Sequence, residues 1–136
     1  MLKKFLNTGN HSQSIDLSLL LLRVAFSVAM LTHGYGKFMK VINGDLTFGD
    51  PIGIGPELSL ILVAFAEFVC SILVILGLTT RFALIPLIIA MFVAWQFRHG
   101  GDPFSSQEKS VLYLIVYFAL LITGPGGYSM DKKLFG

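Results

Sequence analysis

Residues 17–39 read LSLLLLRVAFSVAMLTHGYGKFM. The stretch is apolar enough to enter a bilayer, yet it carries Arg23, His33 and Lys37. On a helix turning about 100° per residue, Arg23, Ser27, Met30, His33, Gly34 and Lys37 fall within roughly 120° of one another. The remaining surface is mostly Leu, Val, Ala and Phe. In lipid such a stripe turns inward, because a charge near the bilayer centre costs about 2.5–3.5 kcal/mol even on the lenient insertion scale. Something inside must receive it. Glu67 is the only acidic residue deep in any other apolar span. The pattern therefore predicts an Arg23–Glu67 ion pair, with His33 linked to Glu67 through water, a ligand or Lys37.

The composition agrees. Of 136 residues, 54% are hydrophobic and 13% charged, with a mean hydropathy of +0.77. Soluble domains carry about 25% charged residues. The length allows one domain. A net charge of +2, with no basic patch interleaved with aromatics, gives no sign of a nucleic-acid partner. The single cysteine, Cys70, excludes an intrachain disulfide and a Cys-X-X-Cys redox pair. Met30 and His33 lie three residues apart, as do Glu67 and Cys70, but this is too thin a donor set to predict a metal site.

Apolar spans and turn signals divide the chain into an N-terminal arm (1–14), helices at about 15–40, 57–78, 82–98 and 107–123, and a tail (132–136). The domain proper is 15–131. Each helix is long enough to cross roughly 30 Å of hydrocarbon. The third has no polar face to show to water, which argues against a soluble four-helix bundle. The expected fold is all-α: an antiparallel bundle of four transmembrane helices. Asn7 to Ser14 is polar where a signal peptide needs its apolar region, so the first span is expected to remain as an anchor. Lys3, Lys4, Arg81, Lys132 and Lys133 gather at one end, and Lys37, Lys40, Arg98 and Lys109 at the other. The terminal lysine pairs favour cytoplasmic termini.

Residues 41–56 hold Gly44, Gly49, Gly53, Gly55, Pro51 and Pro56. That density marks a loop suited to a lid or partner contact. Ala90 and Ala94 form a small-xxx-small pair that lets a neighbour approach. Tyr113 and Tyr117 share a face of the last helix with Ser110, and Tyr117 lies deep enough to need a polar partner. Arg81 is either a positive-inside charge or a contact for lipid phosphate.

Taken in order, several of these residues resemble the DoxX family of small bacterial membrane proteins. They are the Leu-Leu-Leu-Arg run ending at Arg23, His33-Gly34 with Lys37-Phe38, Ala66-Glu67, Gly77-Leu78-Thr79-Thr80-Arg81, and Gly124-Pro125-Gly126 with Tyr128-Ser129 and Asp131. The resemblance implies a four-helix bundle in the bacterial inner membrane and a link to redox functions. Family relatives include a subunit of a thiosulfate:quinone oxidoreductase and members tied to oxidative stress. It carries over Arg23, His33, Lys37, Glu67 and Arg81 as signature positions, without assigning their roles.

The leading expectation is a membrane subunit that binds a quinone or similar lipophilic ligand beside Arg23, His33, Lys37, Glu67 and Tyr117. No covalently bound cofactor is expected. The chain has proton-handling groups but no evident electron carrier of its own, so a membrane or membrane-associated protein partner is expected to supply electrons. The alternatives are an accessory subunit without chemistry and a small-molecule transporter. Against transport stand the four helices, which leave little room for alternating access, and the lack of an inverted repeat.

Overall fold

A computed structural model describes all 136 residues. The chain is all-helical. Four long helices, α2 to α5, form the bundle, and short helices α1 and α6 flank them. They are α1 (Leu2–Leu6), α2 (Gln13–Ile42), α3 (Pro56–Leu76), α4 (Thr80–Arg98), α5 (Phe104–Thr123) and α6 (Met130–Phe135). Helices α2, α3 and α4 are long and apolar enough to cross a membrane. Helix α5 begins with the polar run Ser105–Ser110, then becomes apolar and closes the bundle between α4 and α2.

The core runs down the bundle axis through Leu19, Met30, Val74, Leu84, Leu87, Tyr117 and Leu120. Large apolar side chains also cover the outside, among them Leu21, Phe65, Ile89, Phe92, Ile115, Phe118 and Ile122. In water these would form a costly apolar surface, whereas in lipid they are the solvated face. Backbone polar groups are satisfied within each helix, as the bilayer interior demands.

Two helices widen locally. Phe65–Cys70 in α3 and Ala94–Arg98 in α4 are π-helical. A π-turn shifts the register of side chains and often marks a functional position. Glu67 lies inside the first of these segments.

The structure starts α4 at Thr80 and α5 at Phe104, a few residues before the positions expected from hydropathy. Asp131 caps the polar first turn of α4, whereas α5 starts directly after Pro103, with no side-chain cap. The N-terminal arm contains helix α1. The Arg81 guanidinium holds it by donating to the carbonyl oxygens of Phe5 and Asn7, at 2.6 and 2.5 Å.

Candidate functional site

The charged stripe of α2 divides between two places. Arg23 lies at the end of the bundle that gathers both termini. It is buried, and its guanidinium donates to the carbonyl oxygens of Pro125 (2.6 Å), Tyr128 (2.7 Å) and, more weakly, Ile75 (3.4 Å). The expected Arg23–Glu67 pair does not form. Gly34, not Arg23, stands level with Glu67, since a Cβ on Gly34 would come within 2.5 Å of the Glu67 carbonyl carbon. Eleven residues of helix separate Gly34 from Arg23, about 16 Å along the axis and beyond side-chain reach.

Around Arg23 the C-terminal segment is tied to three helices. Gly77 ends α3 in the left-handed conformation, and any Cβ there would strike Ser129. Its carbonyl accepts from the Asp131 N–H at 2.8 Å. The Asp131 carboxylate accepts from the N–H groups of Thr79 (2.6 Å) and Thr80 (2.8 Å). It thereby caps α4 and holds Thr79 at φ 46°, an unusual angle for a β-branched residue. Asp16 at the start of α2 accepts from the Gly127 N–H at 2.8 Å. This constellation is mechanical, since every group in it holds chain to chain.

At the opposite end, Lys37 Nζ lies 2.5 Å from Glu67 Oε2. The carboxylate is buried and the ammonium partly exposed. Gly34 makes the pair possible by letting the α2 and α3 backbones touch. Gly36, by contrast, faces open space. The pair forms the polar edge of a cavity of about 440 Å³ between α2, α3, α4 and the glycine-rich loop. Leu62, Val63, Phe65, Ala66, Pro86, Ile89 and Val93 make its walls, and Phe48, Pro51, Ile52 and Ile54 of the loop complete it. Lys37, Ser59, Glu67 and Arg98 are its polar side chains. Ala90 and Ala94 also line it, so their small size makes room for the cavity. The loop was expected as a lid or partner contact, but its apolar residues Phe48, Ile52 and Ile54 and a site role for Arg98 were not singled out from sequence. The available signal was that Arg98 shares a bundle end with Lys37.

His33 lies on the other side of Glu67. It meets Tyr113 edge-on with ring centroids 6.2 Å apart. The two residues line a second cavity of about 90 Å³ with Met30, Glu67, Met91, Ala94, Lys109 and Ser110. Tyr117 stacks on Tyr113 and is completely buried. Its hydroxyl faces Ser27 and Ser71, yet none of the three hydroxyls reaches hydrogen-bond geometry with a protein group. The polar groups expected beside Tyr117 are thus these two serines. No three His, Cys, Asp or Glu side chains converge anywhere.

Arg81 spends its guanidinium on backbone. Besides Phe5 and Asn7 it donates to Leu121 (2.9 Å) and Ile122 (3.2 Å), and it lies over the Phe5 ring. With its donors so occupied, it serves here as a clamp between α1, α4 and α5.

Four helices with lipid-facing outer surfaces and an ion pair inside define a small polytopic integral membrane protein. The chain belongs to the DoxX family, whose sequence profile matches residues 18–100. It is 30% identical over 125 residues to an uncharacterised protein of Haemophilus influenzae, a match covering 84% of this chain and 88% of the relative. An uncharacterised membrane protein of Mycobacterium tuberculosis is 29% identical, with 86% of this chain and 81% of the relative covered. The inner membrane protein YqjF of Escherichia coli is 27% identical, with coverages of 88% and 93%. No solved structure matches the chain.

Proposed function

We propose that the chain is the ligand-binding membrane subunit of a redox system, taking a quinone or a similar lipophilic molecule with a polar head into the larger cavity. The observation that carries this reading is the cavity's chemistry. Its walls are apolar, and its few polar groups include the Lys37–Glu67 pair and Arg98. At about 440 Å³ it falls in the range of small-molecule sites, roughly 300–1,000 Å³. A quinone ring carries carbonyl acceptors suited to Lys37 and Arg98, and its tail suits the apolar walls. Quinone reduction needs two electrons and two protons, and a lone buried cysteine is no electron carrier. A separate protein partner therefore supplies the electrons. In this reading the protein sits in a bacterial inner membrane with both termini in the cytoplasm, and the cavity end faces outward.

The test is binding of decylubiquinone to the full chain in lipid nanodiscs. Ala90→Phe, which fills the cavity, should weaken binding by about tenfold or more, equivalent to about 1.4 kcal/mol, while helicity is unchanged. Ala90→Leu should give a smaller loss. Wild-type protein that does not bind, or an Ala90→Phe variant that binds equally well, overturns the reading.

A further inference from the structure

Glu67 is the only ionisable residue that borders both cavities. On one side lies the large apolar cavity. On the other lies a small one whose lining includes His33, Lys109, Ser110 and Tyr113. This second space is large enough for a few water molecules and has the polar partners that ordered water requires. Lys109 lies near the start of α5 and His33 is exposed, so both polar ends of the small cavity lie toward the loop end of the bundle. Lys37 engages Oε2 of Glu67, whereas no protein donor reaches Oε1.

We propose that Glu67 is a one-proton gate between these two spaces: water in the small cavity delivers a proton to its carboxylate, and the resulting acid passes it to the ligand in the large cavity. In the first step an O–H bond of a hydronium ion in the small cavity breaks and an O–H bond forms at Oε1, leaving neutral water behind, while the Lys37 ammonium still donates to Oε2. In the second step that O–H bond breaks, a bond forms between the proton and a basic atom of the ligand, and the carboxylate returns. No electrons move in either step. If the ligand is a quinone, they come from the redox partner. This inference deepens the ligand-binding reading and rests on it for the identity of the proton acceptor.

The groups around Glu67 suit such a cycle. Lys37 and His33 face it from α2, Lys109, Tyr113 and Tyr117 from α5, and Arg98 from the end of α4. The π-turn at Phe65–Cys70 sets the register in which one side chain of α3 borders both spaces.

The experiment is infrared difference spectroscopy of the full chain in nanodiscs, with Glu67→Gln assigning the carboxyl band. Transfer to D2O then measures how fast that proton exchanges. Ser110→Leu, which fills the small cavity, should slow exchange by about tenfold, equivalent to about 1.4 kcal/mol on the barrier, with decylubiquinone affinity unchanged. Ser110→Val is the smaller plug should the leucine disturb folding, and it should slow exchange to a lesser degree. Ala90→Phe should weaken decylubiquinone binding by about tenfold or more and leave exchange fast. A Glu67 band absent at every pH overturns the gate, as does exchange indifferent to both Ser110 variants or slowed by Ala90→Phe alone. Fast, Ser110-dependent exchange in a protein that binds no quinone would keep the proton path and remove only the ligand-binding reading.

Discussion

Lys37 Nζ and Glu67 Oε2 meet at 2.5 Å, with the carboxylate side chain 6% exposed and the lysine 27% exposed. Breaking a buried pair strands one charge, which typically costs about 3–5 kcal/mol, and the partial exposure of Lys37 lowers that figure here. Lys37→Met should therefore destabilise the protein by about 2–3 kcal/mol. The double change Lys37→Met with Glu67→Leu should recover most of the loss, since neither charge is then stranded. Thermal unfolding of the full mutant cycle in detergent checks this, and additive losses would contradict it.

Arg23 and Glu67 are both buried and charged but belong to different ends of the bundle. Their substitutions should be additive within about 0.5 kcal/mol, as for sites more than 10 Å apart. Arg23→Lys keeps the charge but loses the fork that reaches the Pro125 and Tyr128 carbonyls at once. It should destabilise nearly as much as Arg23→Met while leaving ligand affinity unchanged. A strong energetic coupling between positions 23 and 67 would restore the ion pair expected from sequence.

Two glycines on one turn of α2 give opposite expectations. A methyl on Gly34 would lie 2.5 Å from the Glu67 carbonyl carbon and 2.6 Å from its oxygen. Gly34→Ala must push α2 from α3, lowering stability and loosening the Lys37–Glu67 contact. Gly36 has nothing within 4 Å of the same methyl, so Gly36→Ala should be neutral or stabilise by up to about 1 kcal/mol through helix propensity. Comparing the unfolding temperatures of the two variants decides the matter.

Asp131 accepts from two N–H groups at the start of α4. Asp131→Ala removes both bonds from a buried site and should cost about 0.5–2 kcal/mol, as for lost helix caps. Amide exchange should then rise first at Thr79 and Thr80.

In the loop beside the larger cavity, the Asp45 carboxylate accepts from the Thr47 hydroxyl at 2.5 Å and the Thr47 N–H at 3.1 Å. These bonds hold its pKa below the ordinary value. A group depressed on folding contributes stability above its unfolded pKa and loses it as pH falls through the folded one. This loop contact should therefore persist at neutral pH and release only in acid. Thr47→Ala should move the Asp45 titration upward, as carboxyl chemical shifts would record.

The membrane bundle is legible in the residues themselves. Long apolar spans, low charge and the glycine–proline breaks of 41–56 and 124–127 leave few other folds, because a bilayer admits only structures that satisfy their own backbone. The inward stripe of α2 follows from the cost of charge in lipid. Register is another matter. Glu67, as the only deep acid of another span, was expected to receive Arg23. The close approach at Gly34 slides α3 along α2 and delivers Glu67 to Lys37 instead.

Periodicity along one helix thus determined which faces turn inward, since it depends only on the side chains that helix carries. Which inward groups meet, where the small alanines leave a cavity, and that Glu67 borders two spaces were decided by tertiary packing. Those outcomes depend on the axial offset between helices. That offset is set by contacts such as Gly34 on Glu67 and Gly77 against Ser129, which no single span encodes.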